Sequence, residues 1–337
     1  MALLEVKNLH TYFKTRKGIV KAVNDVSYSL DSGKTIGIVG ESGSGKSVSA
    51  MSILQLLDGN GYIAEGEVIF EGKDLTKLSQ QEMYSIRGNK ISVIFQEPMT
   101  SLNPVFTIKR QLSEPFIIHQ KMSKKEAEKK AVEMLYAVQI PNPETVLLQY
   151  PHQLSGGMRQ RVMIAIALAC KPGLIIADEP TTALDVTIQA QILDLLRDLK
   201  DKINSSIMLI THDLGVVASM ADYVVVMYAG RVVEKGTAQD IFHHPCHPYT
   251  IGLMKSKPVV GRKVETLYNI PGSVPNPVDM PNYCYFRDRC EMHCDRCKGD
   301  YPPEIKVSDT HVVSCWRYYD EGEVLGFPKS KNVEELL

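Results

Sequence analysis

A glycine-rich segment near the N-terminus has the composition and spacing of a phosphate-binding loop. It runs from Gly40 to Ser47 as Gly-Glu-Ser-Gly-Ser-Gly-Lys-Ser, after an apolar stretch and before a helical pattern. Glycines let consecutive backbone N–H groups curl around an anion at the start of a helix, where the helix dipole also favours negative charge. The ammonium of Lys46 would hold the β- and γ-phosphates of a nucleotide, and the Ser47 hydroxyl would coordinate Mg²⁺. A merely structural glycine turn is the alternative. The predicted phosphate-binding residues are Gly40, Ser42, Gly43, Ser44, Gly45, Lys46 and Ser47.

Two adjacent carboxylates supply the second part of a nucleotide-hydrolysing site. Asp178 and Glu179 follow the apolar run Leu174–Ala177. Neighbouring side chains at the end of a strand point in different directions, so the two groups can take different roles. Asp178 would act on the Mg²⁺ shell, and Glu179 would orient or deprotonate the attacking water. The alternative is a pair that only caps the turn before Pro180.

A histidine follows another apolar run. His212 comes shortly after Ile207–Ile210. Ligands of α/β proteins bind at the carboxyl ends of the parallel strands. We therefore predict that His212 reaches the γ-phosphate, while a lone histidine also has a purely structural explanation.

The elements that must position these residues alternate between short β-branched runs and longer helical patterns. Such alternation predicts an α/β fold, with βαβ units around a mostly parallel sheet. Ser123 and Glu126 form a capping box at the start of an amphipathic helix, and a second helix follows Asp185. The predicted strands are Thr35–Val39, Ile91–Phe95, Leu174–Ala177, Ile207–Ile210 and Tyr223–Met227, followed by the hairpin strand Arg231–Glu234.

Composition and length describe an ordinary folded chain. The 337 residues include 38 Lys and Arg, 39 Asp and Glu, and 44% hydrophobic residues. These values exclude disordered, collagen-like and coiled-coil chains, and the near-zero net charge gives no reason to expect nucleic acid as a partner. The longest apolar run, Val162–Cys170, is shorter than the roughly 18 residues that a membrane span needs, and the N-terminus lacks a signal-peptide pattern. We expect one large domain with appendages, or two domains, and no segment that crosses a membrane.

A third motif indicates which kind of nucleotide-hydrolysing protein this sequence encodes. The segment Leu154–Gln160 reads Leu-Ser-Gly-Gly-Met-Arg-Gln and precedes the Asp178–Glu179 pair. It resembles the signature motif of ATP-binding cassette (ABC) ATPases. Ser155, Gly156 and Gly157 open a helix and so form a second anion site, unless the loop binds no ligand. The resemblance implies that two cassettes pair head to tail, with each ATP between the P-loop of one subunit and the signature of the other.

Further positions match this family residue by residue. Gln96 matches the Q-loop glutamine that touches Mg²⁺ and senses the membrane subunits, and Asp185 matches the D-loop at the dimer interface. Tyr12 and Phe13 lie where cassettes place an aromatic ring to stack on adenine. A one-residue shift of strand register exchanges their faces, so which of them stacks stays open, and either could belong to the core. The resemblance thus implies catalytic roles for Glu179, His212 and Gln96, and Mg²⁺ bound through Ser47, Gln96 and Asp178.

The resemblance also implies a domain organisation. Residues 1–97 and 154–235 would form the P-loop ABC ATPase core, with a RecA-like, mostly parallel sheet and an antiparallel β part. Residues 98–153 would be an inserted helical subdomain that receives an intracellular loop of a permease. Residues 236–337, where prolines recur, would form a loop-rich C-terminal extension.

Other segments look like the ATPases of oligopeptide, dipeptide and nickel importers. They are Gln96–Pro104, His247–Thr250 and Ile270–Pro277, and the signature region looks like the D-type subunit. This implies a peripheral subunit at the cytoplasmic face of the cell membrane, in which ATP hydrolysis drives peptide uptake. Its implied partners are a related F-type ATPase, two transmembrane permeases and an extracytoplasmic substrate-binding protein. The alternatives are a nickel or glutathione importer, a non-transport ABC ATPase, and a redox-sensing protein.

Five of the seven cysteines lie between Cys284 and Cys315. Disulfides are not expected in a chain with no export signal. Four thiolates suit either tetrahedral zinc or an iron–sulfur cluster, and the spacing alone does not decide between them. Cys294 is a fifth candidate, and His293 and His311 could serve a zinc site. Within the family, the pattern of Cys284, Cys290, Cys297 and Cys315 resembles a C-terminal motif that carries a [4Fe-4S] cluster in some members; zinc and unligated thiols remain the alternatives.

Overall fold

The structure is a computed structural model that describes residues 2–182, 185–256, 268–320 and 323–324. Contacts within the chain divide it into two units. The first unit comprises Met1–Leu3, Leu30–Thr35 and Lys77–Ile210, and the second comprises Leu4–Ser29, Ile36–Thr76 and Thr211–Leu337. In these described parts, no helix combines the length and apolar character that crossing a membrane requires. The domain boundaries predicted from the sequence stay a prediction.

The strands and helices have the following bounds. The strands are β1 (Ala2–Thr15), β2 (Gly18–Asp31), β3 (Thr35–Val39), β4 (Gly61–Phe70), β5 (Lys73–Asp74), β6 (Ile91–Ile94), β7 (Leu174–Asp178), β8 (Ser206–Ile210), β9 (Tyr223–Tyr228), β10 (Arg231–Thr237), β11 (Ile305–Lys306), β12 (Val312–Val313), β13 (Tyr319–Asp320) and β14 (Glu323–Val324). The α-helices are α1 (Lys46–Ile53), α2 (Gln80–Tyr84), α3 (Pro98–Ser101), α4 (Ile108–Gln120), α5 (Lys124–Ala137), α6 (Pro143–Leu147), α7 (Gly156–Leu168), α8 (Val186–Ile203), α9 (Leu214–Met220), α10 (Ala238–His243) and α11 (Pro248–Lys255). Short 3₁₀ turns occupy Leu75–Lys77, Pro151–Gln153, Arg287–Arg289, Asp295–Lys298 and Trp316–Tyr318.

The sheet of the first unit consists of β8, β7 and β6, paired in parallel. Every residue of β7 and β8 is buried, which explains why the sequence reads there as continuous apolar runs and not as an alternation. The predicted strand Ile91–Phe95 was one residue too long. β6 ends at Ile94, and Phe95 is 42% exposed because the chain leaves the sheet there toward Gln96.

Helices dominate the first unit between its β6 and β7 strands. The predicted capping box is confirmed, because the Ser123 hydroxyl accepts a hydrogen bond from the N–H of Glu126 and the Glu126 carboxylate accepts one from the N–H of Ser123. This pair starts α5. Asp185 caps α8 in a similar way, with its carboxylate 2.9 Å from the N–H of Ile188. Local capping chemistry therefore fixes the start of both helices.

The second unit contains an antiparallel sheet and a mixed sheet. The antiparallel sheet has the strand order β2, β1, β4, β5. In the mixed sheet β3 pairs in parallel with β9, and β10 pairs antiparallel with β9 as the predicted hairpin. Helix α1 packs on the antiparallel sheet, where Thr11 and Ser52 share a buried hydrogen bond of 2.8 Å between their hydroxyls.

The C-terminal extension is packed onto the second unit by short elements. β12 pairs with β10, opposite Glu234 and Lys235, and β11 pairs with β12. The N–H of Lys21 in β2 donates to the carbonyl of Pro277 at 2.9 Å. A buried core joins the extension to β9 through Tyr228, Tyr249, Phe286, Cys284 and Cys297. The extension thus contributes to the core of this unit.

Candidate nucleotide-binding site

The P-loop lies between β3 and α1 in the second unit. Gly40, Gly43 and Gly45 adopt positive φ angles of 151°, 78° and 94°. A Cβ atom on Gly40 would collide with the carbonyl oxygen of Met227, and one on Gly45 would collide with that of Ala22. The loop therefore requires glycine at both positions, for its backbone conformation and for the close approach of neighbouring strands.

Lys46 opens α1 and folds back over the loop. Its ammonium donates to the carbonyl oxygens of Gly40 and Glu41, at 2.8 and 2.9 Å, and lies 3.5 Å from the Ser44 hydroxyl. The side chain is 7% exposed, while Ser47 is exposed beside it. A buried ammonium next to the N-terminus of a helix makes the loop a site for an anion.

His212 lies in the second unit beside the strand that leads into the P-loop. The N–H of Thr211 donates to the carbonyl of Ile38 in β3 at 3.2 Å, and His212 follows with an exposed side chain. Asp213 then caps α9 through the N–H of Gly215 at 2.8 Å. This turn fixes the histidine close to the carboxyl end of β3, and its predicted contact with the γ-phosphate stays a prediction.

Tyr12 and Phe13 lie on opposite faces of β1. Thr11 contacts Ser52 of α1, and because strand side chains alternate, Phe13 shares the face of Thr11. Tyr12 lies on the other face, where its hydroxyl is 2.9 Å from Nδ1 of His10. Phe13 is therefore the aromatic residue on the side of α1, which the sequence alone left open.

The two predicted carboxylates lie at the end of β7 in the first unit. Asp178 is buried, and Glu179 is half-buried with a positive φ of 45°. Oε2 of Glu179 accepts hydrogen bonds from Nε2 of Gln96 at 3.0 Å and from the Thr182 hydroxyl at 2.9 Å. The structure thus brings the predicted base and the predicted Q-loop glutamine together. It adds Thr182, which sequence reasoning missed.

The signature residues form the start of α7, also in the first unit. Ser155 caps this helix by accepting a hydrogen bond from the N–H of Met158 at 3.3 Å. Gly156 has open space where a side chain would lie, and a Cβ on Gly157 would be 3.3 Å from Ile188 of α8. Asp185 caps that neighbouring helix. Ala183 and Leu184, its companions in the predicted D-loop, lie outside the described residues.

Sequence reasoning also missed two partners of the P-loop residue Glu41. Its N–H donates to the Tyr249 hydroxyl at 2.7 Å. Its carboxylate accepts two hydrogen bonds from Arg289, at 2.7 and 3.0 Å. No local pattern reveals partners so far along the chain. Tyr249 nevertheless belongs to the segment His247–Thr250, which looks like the ATPases of oligopeptide, dipeptide and nickel importers.

The cysteines of the C-terminal extension lie in different surroundings within the second unit: Cys284 and Cys297 belong to one buried hydrophobic cluster, and Cys315 belongs to another. Cys284, Cys297 and Cys315 are buried, Cys290 is half-buried and Cys294 is exposed. Burial, together with the thiols of Cys297 and Cys290, raises the pKa of Cys284 to about 12. Burial likewise raises the pKa of Cys315 to about 12, with Cys284 and Cys290 adding to the effect. The charges of these thiols therefore influence one another's pKa.

A separate buried group contains Glu234, Cys246 and His311. Their potential ligand atoms lie within 4.8 Å of one another, and the described residues contain no other such group of three or more His, Cys, Asp or Glu. The Glu234 carboxylate accepts hydrogen bonds from the N–H groups of Cys246 and His247 and lies 2.7 Å from Nε2 of His311. These donors satisfy the buried carboxylate, so the group ties the extension to β10. The suggestion that His311 serves a zinc site with the clustered thiols gains no support from this arrangement.

Comparison with known proteins agrees with this geometry. Residues 23–182 match the family described as ABC transporter, and residues 233–297 match the oligopeptide/dipeptide transporter C-terminal region. The chain is 52% identical over 321 residues to the oligopeptide transport ATP-binding protein AppD of Bacillus subtilis. This match covers 95% of this chain and 98% of the relative. It is 51% identical to the dipeptide transport ATP-binding protein DppD of Lactococcus lactis, over 93% and 90% of the two chains.

The chain belongs to the ABC transporter family.

A solved member supports the fold of this ABC protein. The dimeric structure of MJ0796, a bacterial ABC transporter cassette, matches 70% of this chain and 98% of its own, with a TM-score of 0.63 and 32% identity. The resemblance to the ABC ATPases of oligopeptide and dipeptide importers and the predicted α/β ABC ATPase fold class are therefore confirmed. An ABC protein of this kind binds and hydrolyses ATP, whereas the roles assigned to individual residues stay predictions.

Proposed function

We propose that this chain is the ATP-hydrolysing subunit of an ABC importer that drives uptake of di- and oligopeptides. The observation that carries this proposal is similarity along nearly the whole chain to relatives named as oligopeptide and dipeptide transport ATP-binding proteins, including their C-terminal region. In this role the subunit works at the cytoplasmic face of the cell membrane with two transmembrane permeases. An extracytoplasmic protein delivers the peptide, and nucleic acid takes no part.

The phosphate-binding residues take separate roles in this proposal. Lys46 and the P-loop N–H groups hold the β- and γ-phosphates. Ser47, Gln96 and Asp178 would each supply an oxygen ligand of the kind that Mg²⁺ prefers: a hydroxyl, an amide oxygen and a carboxylate. The ion would neutralise charge on the phosphates, and these three side chains would orient it.

Two residues act on the reacting groups themselves. Glu179 is the general base that orients or deprotonates the attacking water. Its contacts with Gln96 and Thr182 fix the direction of the carboxylate. His212 contacts the γ-phosphate from the turn after β8. ATP binding and hydrolysis then change the conformation of the complex, which transfers the energy to the permeases.

The adenine ring stacks on Phe13 in this proposal. The support is that Phe13 shares the face of β1 that α1 covers, while Tyr12 is engaged with His10 on the opposite face. A flat aromatic ring offers adenine contact area without charge.

A second ATPase of the F-type completes each ATP site. Ser155, Gly156 and Gly157 of this chain would bind the γ-phosphate of the ATP held by the partner's P-loop, and Asp185 would lie at the interface between the two. The support is a helix start with a capping serine and a glycine that leaves open space, which suits an anion. Like the P-loop, this segment is an anion site at the N-terminus of a helix.

We also propose that Cys284, Cys290, Cys297 and Cys315 hold a [4Fe-4S] cluster. Four thiols of the extension whose charges influence one another's pKa fit the donor set of such a cluster. A single tetrahedral zinc would need thiols about 3.8 Å apart, given Zn–S bonds of about 2.3 Å, and these four do not form such a group among the described residues. The cluster would tie the extension together. Iron and sulfide assays on anaerobically purified protein test it, and a protein with neither would contradict it.

Isolation of the complete transporter tests the proposed function. The full chain, tagged and purified from its own membranes, should bring down two permeases and a second ATPase. Vesicles containing this complex, with its binding protein on the substrate side, should take up labelled dipeptide only when ATP is present, and the Lys46→Ala variant should abolish uptake. Uptake of nickel or glutathione in place of peptide would overturn the proposed cargo, and the absence of any permease would overturn the transport role.

A further inference from the structure

The C-terminal extension holds one residue of the P-loop from two directions. Tyr249 accepts a hydrogen bond from the N–H of Glu41 at 2.7 Å, and Arg289 forms two hydrogen bonds with the Glu41 carboxylate at 2.7 and 3.0 Å. Glu41 directly follows Gly40, the first glycine of the loop. The backbone and the side chain of one loop residue are therefore both fixed by residues more than 200 positions away.

Arg289 is built into the extension as a rigid anchor. Its side chain is 5% exposed. Besides the two bonds to Glu41, its Nε donates to the carbonyl of Pro271 at 2.7 Å, and Nη1 lies 3.4 Å from the Tyr228 hydroxyl. A guanidinium bound on several sides loses little entropy when it forms a two-pronged pair with a carboxylate. Its position is thus set before any nucleotide arrives.

The charge of Glu41 explains why the loop needs such an anchor. A carboxylate within a loop that cradles phosphates repels them, because like charges interact unfavourably and more strongly where water is excluded. Pairing with a buried guanidinium neutralises this carboxylate and fixes its direction. Without Arg289, the negative charge of Glu41 would remain beside the anion site with no partner from the extension.

Tyr249 is positioned by an aromatic cluster of the same region. Its ring centroid lies 4.7 Å from that of Tyr228 and 5.4 Å from that of Phe286. The residue is fully buried, and its helix α11 is capped by His247, whose Nδ1 accepts a hydrogen bond from the N–H of Tyr249 at 3.1 Å. The segment His247–Thr250 thus contacts the phosphate loop through Tyr249, and the segment Ile270–Pro277 is linked to it through Arg289.

We propose that Arg289 and Tyr249 are positioning residues for the P-loop, so that the C-terminal extension sets the affinity of this chain for nucleotide phosphates. The inference rests on the proposed ATP binding by the P-loop and adds residues outside the cassette motifs. Arg289 acts by neutralising and orienting Glu41. Tyr249 acts by holding the backbone of the same residue.

A double-variant cycle tests the role of Arg289. Binding of MgATP to the full chain is measured by calorimetry for Arg289→Gln, Glu41→Gln and the combined variant. Arg289→Gln should raise the Kd by about 10- to 100-fold, because a partly buried carboxylate loses its partner beside the phosphates. Glu41→Gln alone should raise the Kd by about threefold, because Arg289 then loses its charged partner, and adding Glu41→Gln to Arg289→Gln should restore binding to that range, because the repelling charge is gone.

Recovery of ATP binding in the combined variant distinguishes a positioning role of Arg289 from a merely structural one. If Arg289 only stabilised the extension, the combined variant would bind as weakly as Arg289→Gln, and that result would overturn the inference. Arg289→Lys should bind with intermediate affinity, since it keeps the charge but loses the two-pronged geometry. Should Arg289→Gln fail to fold, comparison of Arg289→Lys with its Glu41→Gln combination carries the same test.

Matched controls complete the experiment. Arg287→Gln should leave the Kd unchanged, because Arg287 stacks on Tyr283 at 3.6 Å and pairs with Asp288 on the same short turn. Tyr249→Phe should raise the Kd by about 2- to 10-fold, the range of one hydrogen bond. If Lys46→Ala weakens binding while Arg289→Gln does not, the inference fails and the proposed ATP site stands. If the unaltered chain binds no ATP, both fail.

Discussion

The backbone of Glu179 adopts a conformation that is uncommon for residues other than glycine. Its φ of 45° lies in the left-handed region, which costs an L-residue about 1 to 2 kcal/mol. The N–H of Glu179 donates to the carbonyl of Ile210 at 2.8 Å, and its carboxylate is held by Gln96 and Thr182. Strain that is maintained by so many contacts indicates that the direction of this carboxylate matters.

Replacing that carboxylate by an amide should separate binding from chemistry. Glu179→Gln keeps the shape of the side chain and removes the base, so ATP turnover of the complete transporter should fall by about 10²- to 10⁴-fold. ATP binding, measured by filtration with labelled nucleotide, should remain. Lys46→Ala is the matched contrast and should weaken binding itself. Near-normal hydrolysis by Glu179→Gln would refute the assignment of the base.

The two neighbouring aromatic residues of β1 should differ in their effect on nucleotide affinity. Phe13→Leu removes the ring that shares a face with Thr11 and should raise the Kd for ATP by about 5- to 100-fold, the usual range for loss of base stacking. Tyr12→Leu should leave the Kd within about twofold. Titration of the full-length variants with ATP decides between the two positions, and the opposite order would assign adenine to Tyr12.

His247 makes the stability of the chain sensitive to pH. Burial lowers its pKa to about 3, from an ordinary value near 6.5, and its Nδ1 must accept the hydrogen bond from the N–H of Tyr249. Because the unfolded chain binds the proton more readily, this contribution is fully present above pH 6.5 and is lost as the pH falls toward 3.

Urea unfolding at pH 7.5 and 5.5 measures this effect. Over that interval the unaltered chain should lose about 1 kcal/mol more stability than His247→Asn, which can still cap the helix but does not titrate. Equal losses for the two proteins would show that His247 is protonated in the folded state.

Secondary structure elements were the features that the sequence predicted best. β3, β7, β8 and β9 read as uninterrupted apolar runs because parallel strands are buried on both faces. Ser123 and Asp185 revealed their helix starts because capping depends on residues only three positions apart. The glycine pattern of the P-loop is equally local.

Contacts between distant segments could not be predicted in this way. The Glu41–Arg289 pair spans 248 positions, and Glu234 and His311 are 77 positions apart. Nothing in the residues near either partner specifies the other, because packing of whole elements brings them together. The face occupied by Phe13 became clear only through the Thr11 contact with α1. Distances between the thiols of the extension likewise depend on how its turns fold.

Helix α7 allows its structural and functional roles to be separated. Ser155 and Ser123 cap α7 and α5 with the same hydrogen bond to the third residue of the helix. Ser155→Ala and Ser123→Ala should each lower the free energy of unfolding by about 1 kcal/mol. Only Ser155→Ala should also reduce ATPase activity of the complete transporter, by about tenfold, since only α7 would contact the partner's phosphate. Equal activities of the two variants would leave the signature without its proposed role.

At the scale of the whole molecule, the C-terminal extension is part of the second unit and not an appendage to it. Its aromatic residues pack against β9, and its strand β12 pairs with β10. The nucleotide-binding loop belongs to the same unit. Removal of the extension should therefore affect the cassette itself.

The pairing of β12 with β10 has a consequence for association between chains. A chain that ends at Gly299 would leave the outer side of β10 as an exposed sheet edge, with N–H and C=O groups at Glu234 and Lys235 open to pair with another copy. We expect this shortened protein to form oligomers and precipitate, as light scattering would show, whereas the full chain should not. A monodisperse shortened protein would contradict this expectation. On this expectation, the extension has a second role, which is to protect the cassette against aggregation.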